Sequence, residues 1–333
     1  MTTRRVWQRG LLALCLALVL CPGAPSARAA GAARLAVVTG PGTAQYVAAA
    51  KFKELCEARL GGGLAVEILH SGAAGSETGI LRDLAAGGLN LAIVTSGPFQ
   101  SLAPEAAVVD FPFLFRDHAE ADRILDGPLG REVLDALEPA GIKGLCFAEN
   151  GFRHLTNNRR PVRCAADVAG LRIRVMEARL HVELWRLLGA IPMPLPWPVD
   201  REIARGLVDG QENPLSVIAV AGLAKVQKHL SLTGHVYSAH ICAANLAWFS
   251  ALPEKTRQAV GQAMRDAAAF ERALSRKNEA AFLAELKARG MLVVERPDWA
   301  SFWAKAAGAR GLKSFSGPKV RALLERFLAA ARD

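Results

Sequence analysis

The sequence predicts an α/β protein built from two structural units, and three observations support this prediction. Between Arg34 and Thr95, short β-rich runs alternate with helical patterns in the order β-α-β-α-β, which is typical of a largely parallel sheet. A similar pattern begins again near residue 151. The longest helical pattern, from Pro253 to Gly290, would measure about 55 Å at 1.5 Å per residue. Since this exceeds one small domain, we expect the helix to bend or to run along both units.

The elements of the first unit follow one another closely. Strands are predicted at 34–39, 64–69, 89–95 and 142–148, and helices at 43–60, 77–86 and 117–137. Thr43 is a suitable N-cap for the first helix, and three glycines at 61–63 end it.

The second unit covers about 151 to 238. A strand is predicted at 171–176, a helix at 179–188 and a short extended run at 207–208. Four prolines at alternate positions from 192 to 198 exclude a helix there and favour extended or turn backbone. The polar segment 208–214 is expected at a strand end, where α/β sheets bind ligands, and Asn213 and Pro214 also fit a helix cap. A helix at 316–331 closes the chain.

The N-terminus has the features of a secretory signal peptide. Three arginines among the first nine residues precede an apolar run, 11–21, and the small-residue signature Ala27-Arg28-Ala29 follows. The run is too short for a bilayer, which needs about 20 residues. We therefore expect a signal peptide at 1–29 and an exported, periplasmic protein without a membrane-spanning segment.

The charge balance argues against a nucleic-acid partner. The whole chain has 41 Lys and Arg against 31 Asp and Glu, and four of the arginines lie in the first 29 residues, which contain no acid. The remainder, 37 bases against 31 acids, is mildly basic and suits anionic ligands. Four cysteines remain after position 29, namely Cys56, Cys146, Cys164 and Cys242. Their spacing leaves a disulfide open, although buried apolar thiols are the preferred interpretation.

The motifs of enzymes and cofactor sites are missing from the sequence. Gly40-Pro41-Gly42 resembles the start of a dinucleotide fingerprint, but Gln45 stands at the third glycine position. There is no GxSxG, HExxH or Walker pattern. His235 and His240 are more consistent with hydrogen-bonded histidines than with metal ligands. We therefore expect no catalytic residues, no cofactor and no metal.

Two arginines are candidates for anion binding. Arg153 follows the turn Glu149-Asn150-Gly151, and Arg174 lies inside the apolar strand 171–176. A guanidinium on the face of a buried strand needs an anionic partner, and it matches a carboxylate through two parallel hydrogen bonds. The residues alone leave open whether that partner is an internal carboxylate or a ligand.

Several segments together resemble the DctP-type substrate-binding proteins of TRAP (tripartite ATP-independent periplasmic) transporters. They are ENGFRHLTN at 149–157, GLRIRV at 170–175, Gly189-Ala190, VDGQENP at 208–214, VQKHLSLTGHV at 226–236 and Leu252-Pro253. The resemblance spans essentially the whole chain after the signal peptide, with the motifs in the same order.

This resemblance implies a two-lobed, hinged, periplasmic-binding-protein-like fold that closes on an organic acid and delivers it to membrane permease subunits. The lobes are expected to comprise 30–150 plus 239–278, and 151–238 plus 279–333. A monomer is the expected state. The implied ligand contacts are the bidentate Arg174, a second cation at Arg153, the carboxylate-positioning Asn213, the packing aromatic Trp197, and the first-lobe residues Glu77 and Thr95. His235 is implied to lie behind the ligand without touching it.

The chain departs from the family pattern at Met176, Glu177 and 198–206, which bears on the distal half of the ligand. A four-carbon dicarboxylate is the first prediction, and sugar acids, 2-oxo acids and aromatic monocarboxylates remain open. Two other functions stay open as alternatives: a secreted α/β enzyme acting on an anionic substrate, and a ligand-responsive adaptor for a signalling receptor.

Overall fold

The computed structural model describes residues 32–331, so the predicted signal peptide lies outside the described residues. Two mixed β-sheets are surrounded by helices. The strands are β1 Ala33–Ala36, β2 Val66–Leu69, β3 Leu91–Thr95, β4 Ile142–Phe152, β5 His154–Asn157, β6 Arg172–Val175, β7 Ile191–Pro194, β8 Gly210–Asn213, β9 His229–Ser231, β10 Tyr237–Asn245 and β11 Leu292–Val294. The α-helices are α1 Ala44–Arg59, α2 Glu77–Ala86, α3 Ser96–Phe99, α4 His118–Leu125, α5 Pro128–Asp135, α6 Arg179–Leu188, α7 Asp200–Ala204, α8 Leu215–Val220, α9 Leu246–Ala251, α10 Glu254–Ala288, α11 Trp299–Ala306 and α12 Pro318–Ala330.

The first sheet has the strand order β2-β1-β3-β10-β4. β1 runs parallel to β2 and to β3, in agreement with the predicted β-α-β-α-β unit. β10 is antiparallel to both β3 and β4 and enters the sheet from late in the chain. This late strand therefore joins the N-terminal unit to β4.

The second sheet has the order β11-β9-β5-β8-β6-β7. β5 is antiparallel to both of its neighbours, whereas the other adjacent pairs are parallel. The predicted extended proline segment forms β7, whose Pro192 and Pro194 pair with β6 at the sheet edge. An edge tolerates proline because one side of the strand needs no ladder donor.

The chain passes between the two sheets at two neighbouring places. β4 ends at Phe152 and β5 begins at His154, while β9 and β10 are joined by residues 232–236. The Arg153 N–H donates to the Val236 carbonyl at 2.8 Å, so the two crossings are hydrogen-bonded to each other. The hinge that the family resemblance implies is therefore predicted to lie at this pair of extended segments.

The long helix α10 extends along both lobes, as the sequence predicts. Its 35 residues correspond to about 52 Å. Val260, Met264 and Ala267 are buried in the core that α1 and the first sheet share. Farther along the helix, Leu286 packs in the core of the second lobe beside Ile218 of α8. No helix among residues 32–331 is both long enough and apolar enough to cross a membrane.

The C-terminal helix packs differently from the predicted lobe boundaries, which otherwise stay a prediction. The sequence assigns 279–333 to the second lobe. Leu323, Leu324 and Phe327 of α12 are instead buried in the apolar core of the first lobe, together with Ile124 and Leu134. The apolar face of α12 specifies burial, but its position is set by the preceding segment, in which Phe315 contacts Phe111 of the first lobe.

Two local predictions also differ from the structure. The predicted helix 117–137 is two helices, α4 and α5, separated by Asp126 and Gly127, with Pro128 in the first turn of α5. The predicted N-cap Asn213 is the last residue of β8, and Pro214 takes the N-cap position of α8. The polar segment is therefore strand rather than turn, and its side chains lie within the sheet.

Candidate functional site

A pocket lies where the two sheets face each other, and both lobes contribute to it. It encloses about 410 Å³ of space between its lining residues, counting the part open to solvent. The lining residues are Val38, Thr39, Thr43, Ala44, Gln45, Glu77, Thr95, Asn150, Arg174, Met176, Trp197, Asn213, Val217 and His240.

The fold brings these residues together because several parallel strands end at the pocket. Thr95 ends β3, and Arg174 and Asn213 lie in the last residues of β6 and β8. The carboxyl ends of strands in open α/β sheets form the usual ligand crevice. Helices α1 and α2 begin at the same place, so that Gln45 and Glu77 enter the pocket from their first turns.

Arg174 supplies the pocket's cation. Its Nε donates to the Leu195 carbonyl at 2.8 Å, which fixes the guanidinium, and its Cζ lies 5.7 Å from the centre of the Trp197 ring. Burial lowers the pKa of Arg174 to about 10, so the side chain stays charged at neutral pH. Among residues 32–331, no carboxylate oxygen lies within 4.0 Å of its side-chain nitrogens. The Nη groups are thus available to an external acceptor.

Asn213 is held beside Arg174 by buried polar neighbours. Its Nδ2 donates to Gln211 Oε1 at 2.5 Å, and its Oδ1 accepts from Arg153 Nη2 at 3.3 Å. Asn213 is only 6% exposed, and that remainder faces the pocket. An amide fixed in this way can orient one carboxylate oxygen of a ligand.

The first-lobe wall is organised around the Glu77 carboxylate. Its Oε1 accepts from the Thr95 N–H at 3.0 Å, the Thr95 hydroxyl at 2.6 Å and Gln45 Nε2 at 3.1 Å. All three bonds use the same oxygen. Glu77 Oε2 therefore remains an acceptor on the pocket side, suited to hydroxyl or amine donors.

Neutral polar groups continue this wall. The Thr39 hydroxyl donates to Gln45 Oε1 at 2.9 Å and lies 2.7 Å from the Thr43 hydroxyl. His240, on β10, closes the pocket from below the sheet, and burial lowers its pKa to about 3. The imidazole is consequently neutral at physiological pH. The first lobe thus offers hydrogen bonds and one negative charge, and no Lys or Arg among the described lining residues.

Arg153 does not line this pocket. Its Nε and Nη2 donate to the two Glu212 carboxylate oxygens at 2.5 and 2.8 Å, and both side chains are at most 1% exposed. Burial alone would raise the pKa of Glu212, but the Arg153 charge and a hydrogen bond from His235 hold it well below its usual range. The partner of this buried guanidinium is thus an internal carboxylate. Its hydrogen bond to Asn213 connects it to a residue that lines the pocket.

His235 lies behind the pocket. Its Nε2 is 3.0 Å from Glu212 Oε2 and its Nδ1 is 2.8 Å from the Thr233 hydroxyl. Burial lowers the pKa of His235, against the opposing effect of Glu212. Since a carboxylate can only accept, Nε2 carries the proton and Nδ1 accepts from Thr233.

The same buried network crosses between the lobes. His181, on α6 of the second lobe, places Nδ1 3.8 Å from Glu212 Oε1 and Nε2 3.1 Å from Asp110 Oδ2. Asp110 belongs to the first lobe, where its Oδ1 accepts from the Ser96 hydroxyl at 2.5 Å. The polar interior of the second lobe is therefore in hydrogen-bond contact with the first.

Five of the six residues predicted to contact ligand line the one pocket. They are Glu77, Thr95, Arg174, Trp197 and Asn213. Whether each touches a ligand stays a prediction. Sequence reasoning missed the neutral polar groups of the first lobe, although a signal for them was present. The predicted strand 34–39 ends in Thr39, and Gln45 follows in the first turn of the next helix. This order places polar groups at a ligand crevice.

The described residues provide no evident catalytic apparatus. Within residues 32–331, no group of three or more His, Cys, Asp or Glu side chains is arranged to hold a metal ion. The chemistry that the arrangement supports is recognition: one fixed guanidinium and amide on one lobe, and carboxylate, hydroxyl and amide acceptors and donors on the other.

Residues 35–309 match the family of bacterial extracellular solute-binding proteins, family 7, designated DctP. A solute-binding protein of Verminephrobacter eiseniae is 40% identical over 275 residues, which cover 82% of each chain. The 2,3-diketo-L-gulonate-binding periplasmic protein YiaO of Escherichia coli is 32% identical over 281 residues, covering 83% of this chain and 85% of that protein.

A solved structure shares the whole architecture. The sugar acid-binding protein DctPAm of Advenella mimigardefordensis, crystallised with galactonate, superposes with a TM-score of 0.86 at 32% identity. The match covers 90% of this chain and 97% of that one. The two proteins therefore share one fold over nearly their whole lengths.

Proposed function

Since the chain belongs to family 7 of the bacterial extracellular solute-binding proteins, the DctP family of TRAP transporter receptors, we propose that its ligand is a sugar acid. The family fixes the coarser function: this is a TRAP solute receptor for organic acids and not an enzyme. Receptors of this kind bind small organic acids and work with TRAP membrane subunits. The ligand of this particular receptor is the open question.

The carboxylate of the proposed ligand binds to Arg174 and Asn213. Arg174 is the observation that carries the proposal, since its Nε is used internally while its Nη groups face the pocket without an internal carboxylate. A guanidinium fork matches a carboxylate with two parallel hydrogen bonds. The Trp197 ring against the guanidinium keeps water from the other side of this contact.

The remainder of the ligand faces hydrogen-bonding groups without positive charge. Glu77 Oε2, the Thr39 and Thr43 hydroxyls and the neutral imidazole of His240 line this half of the pocket. Successive hydroxyl groups of a sugar acid satisfy such a wall. YiaO is named for binding 2,3-diketo-L-gulonate and DctPAm was crystallised with galactonate, and these two relatives support a sugar acid as the ligand here.

The four-carbon dicarboxylate predicted from the sequence is the competing ligand. That prediction was favoured by the segment Asn150-Gly151-Phe152-Arg153. Arg153 is paired with Glu212, and the wall opposite Arg174 carries the Glu77 carboxylate instead. A second ligand carboxylate there would face like charge in a desolvated site. The pocket therefore favours one carboxylate with hydroxyls over two carboxylates.

The cellular setting follows from the same family. We propose that the protein is exported by the segment 1–29, acts in the periplasm as a monomer, and passes its ligand to the TRAP membrane subunits. Closure of the lobes requires contacts from both sides of the ligand, because a ligand shifts a two-state equilibrium only through differential affinity. Arg174 and Glu77 supply one such contact from each lobe.

A thermal-shift screen followed by calorimetry tests the proposal. The panel contains galactonate, glucuronate, gluconate, succinate, malate and a neutral hexose as the control for the carboxylate. A ligand at 100 times its dissociation constant adds about 2.7 kcal/mol of apparent stability. We expect a sugar acid to give the largest shift. If succinate or malate gave the largest shift, the ligand would be a dicarboxylate. If no acid gave a shift, the assignment of this pocket as an organic-acid site would be rejected.

A further inference from the structure

We propose that Cys146 and Cys242 are a disulfide-forming pair that ties β4 to β10 at the centre of the first lobe. In the antiparallel register of these strands, Cys242 is directly opposite Cys146. Directly opposite residues in an antiparallel pair have Cα atoms about 4.5–5.5 Å apart, and disulfides form at Cα separations of about 4.4–6.8 Å.

The two thiols also share one face of the sheet. Directly opposite residues project their side chains to the same side, and both cysteines pack in the core between the first sheet and α1 and α10. The Cys242 thiol has a raised pKa because it interacts with the Cys146 thiol and is buried. The backbone thus already holds the sulfurs as neighbours, and bridging them needs no movement of strands.

The two cysteines differ in exposure, and this difference determines which of them reacts first with an oxidant. Cys242 is fully buried, whereas Cys146 is partly exposed and lines a surface groove between α4, α5 and α10. Polar side chains border this groove, among them Arg265 and the ion pair of Arg272 with Asp126 at 2.6 Å. An incoming oxidant therefore meets Cys146 first.

The oxidant is a disulfide, either of a protein or of a small molecule. The Cys146 thiolate attacks one sulfur of that disulfide, forming a mixed disulfide and releasing one thiol. The Cys242 thiolate then attacks the Cys146 sulfur and releases the second thiol. The pair has lost two protons and two electrons, and the oxidant has gained them as two thiols.

The bridge would act on stability and leave the ligand pocket unchanged. It closes the chain from 146 to 242, a long loop that contains most of the second lobe, and long loops gain most from cross-linking. Neither cysteine lines the pocket between the lobes. The same ladder ends at Phe152 and Tyr237, beside the hinge, so the bridge anchors both hinge strands within the first lobe.

Thiol counting tests the proposal. The full chain is equilibrated with oxidised glutathione, denatured, alkylated with N-ethylmaleimide and weighed, with and without prior reduction. We expect reduction to add two alkylated thiols and peptide mapping to find Cys146 joined to Cys242. We also expect the oxidised protein to melt roughly 5 °C or more above the reduced protein. Equal alkylation before and after reduction, or a bridge to another cysteine, would overturn it.

Single-cysteine variants test whether the two counted thiols are those of Cys146 and Cys242. Cys146→Ser and Cys242→Ala should each abolish the reduction-dependent pair and the difference in melting temperature. Cys56→Ser changes a thiol in the same core and should leave both intact, as should Cys164→Ser in the second lobe. Because Cys146 is partly exposed, its serine variant keeps the test available if the buried Cys242→Ala variant fails to fold.

Discussion

The Arg153 guanidinium and the Glu212 carboxylate form a two-bond ion pair, 2.5 and 2.8 Å, in the interior of the protein. This relationship decides how the pocket distributes charge. Two arginines enter the second lobe's polar interior from neighbouring parts of the fold, and one of them is neutralised there. Arg174 is left to face the pocket, and Arg153 reaches the pocket lining only through its hydrogen bond to Asn213.

Replacing Arg174 should nearly abolish ligand binding. Arg174→Gln leaves a desolvated ligand carboxylate without its cation, a loss of about 3–5 kcal/mol by analogy with broken buried pairs. Arg174→Lys keeps the positive charge and loses the two parallel hydrogen bonds of the guanidinium. Its affinity for the ligand should therefore lie between that of the wild type and that of Arg174→Gln. The measurement is calorimetric titration with the ligand found in the screen.

Arg172→Gln is the control for this series. Arg172 lies on the same strand, pairs with Asp209 at 2.8 Å and does not line the pocket. The Arg172→Gln variant should bind the ligand with the affinity of the wild type. Wild-type affinity in Arg174→Gln would show that the carboxylate binds elsewhere.

Replacing Glu77 should change selectivity more than total affinity. Glu77→Gln keeps an oxygen for the donors from Thr95 and Gln45 and replaces the free Oε2 by an NH₂ group. Hydroxyl donors lose their acceptor, whereas a second carboxylate loses a repelling charge. We expect affinity for the sugar acid to fall about tenfold, the equivalent of about 1.4 kcal/mol for a charged hydrogen bond, and the ratio of succinate to sugar-acid affinity to rise. An unchanged ratio would contradict the charge argument.

Removing Arg153 should destabilise the fold. Arg153→Met leaves the Glu212 carboxylate buried without its cation, with the His235 hydrogen bond as its remaining partner, at a cost of about 3–5 kcal/mol. The double variant Arg153→Met/Glu212→Gln should recover part of this loss, because the uncompensated charge is then gone. Urea unfolding of both single variants and the double variant gives the coupling free energy.

Arg326→Ala provides the comparison for this cycle. Arg326 pairs with Glu132 at 2.7 Å, but both side chains are about half exposed, at 55% and 46%. Its loss should cost less than about 1 kcal/mol. A similarly small cost for Arg153→Met would mean that the interior pair contributes no more than a surface one.

Stability should fall at acidic pH, partly because of His154. Burial lowers the pKa of His154 to about 3, whereas an unfolded histidine has a pKa of about 6.5. Below pH 6.5 the unfolded chain binds a proton that the folded protein does not, so stability is present above that pH and is lost as the pH falls towards 3.

His154→Asn isolates this contribution. The asparagine oxygen can accept the Gly234 N–H in place of Nδ1, which accepts it at 3.2 Å. Between pH 6.5 and 5.0 the wild type should lose about 1.6 kcal/mol more stability than the variant, because the slope rises from half of its limiting value of about 1.4 kcal/mol per pH unit at pH 6.5 towards the full value. Urea unfolding at both pH values measures this difference, and parallel losses would assign the acid sensitivity to other groups.

The sequence determined the class of the fold and much of the pocket. Alternating apolar runs and helical periods specify the strands and helices, and the length of α10 requires contact with both lobes. The segment that contains Asn213 could be predicted to lie at a strand end near a ligand crevice, and Arg174 could be recognised as a cation on a buried strand that needs an anionic partner. The position of Thr95 in the pocket was implied by the family resemblance. The periodicity of apolar residues predicts the strands, the helices and their ends, because it shows which face of an element is apolar and where the element stops.

Tertiary structure alone decided which groups meet. Arg153 and Glu212 are 59 positions apart, and their pairing depends on the antiparallel register of β5 and β8 beside the hinge. The same holds for β10 between β3 and β4, and for α12 on the first lobe. A local pattern shows that a buried charge or an apolar face needs a partner. The topology determines which partner it meets, because the fold must bury all apolar faces and pair all buried charges at the same time with the lowest free energy.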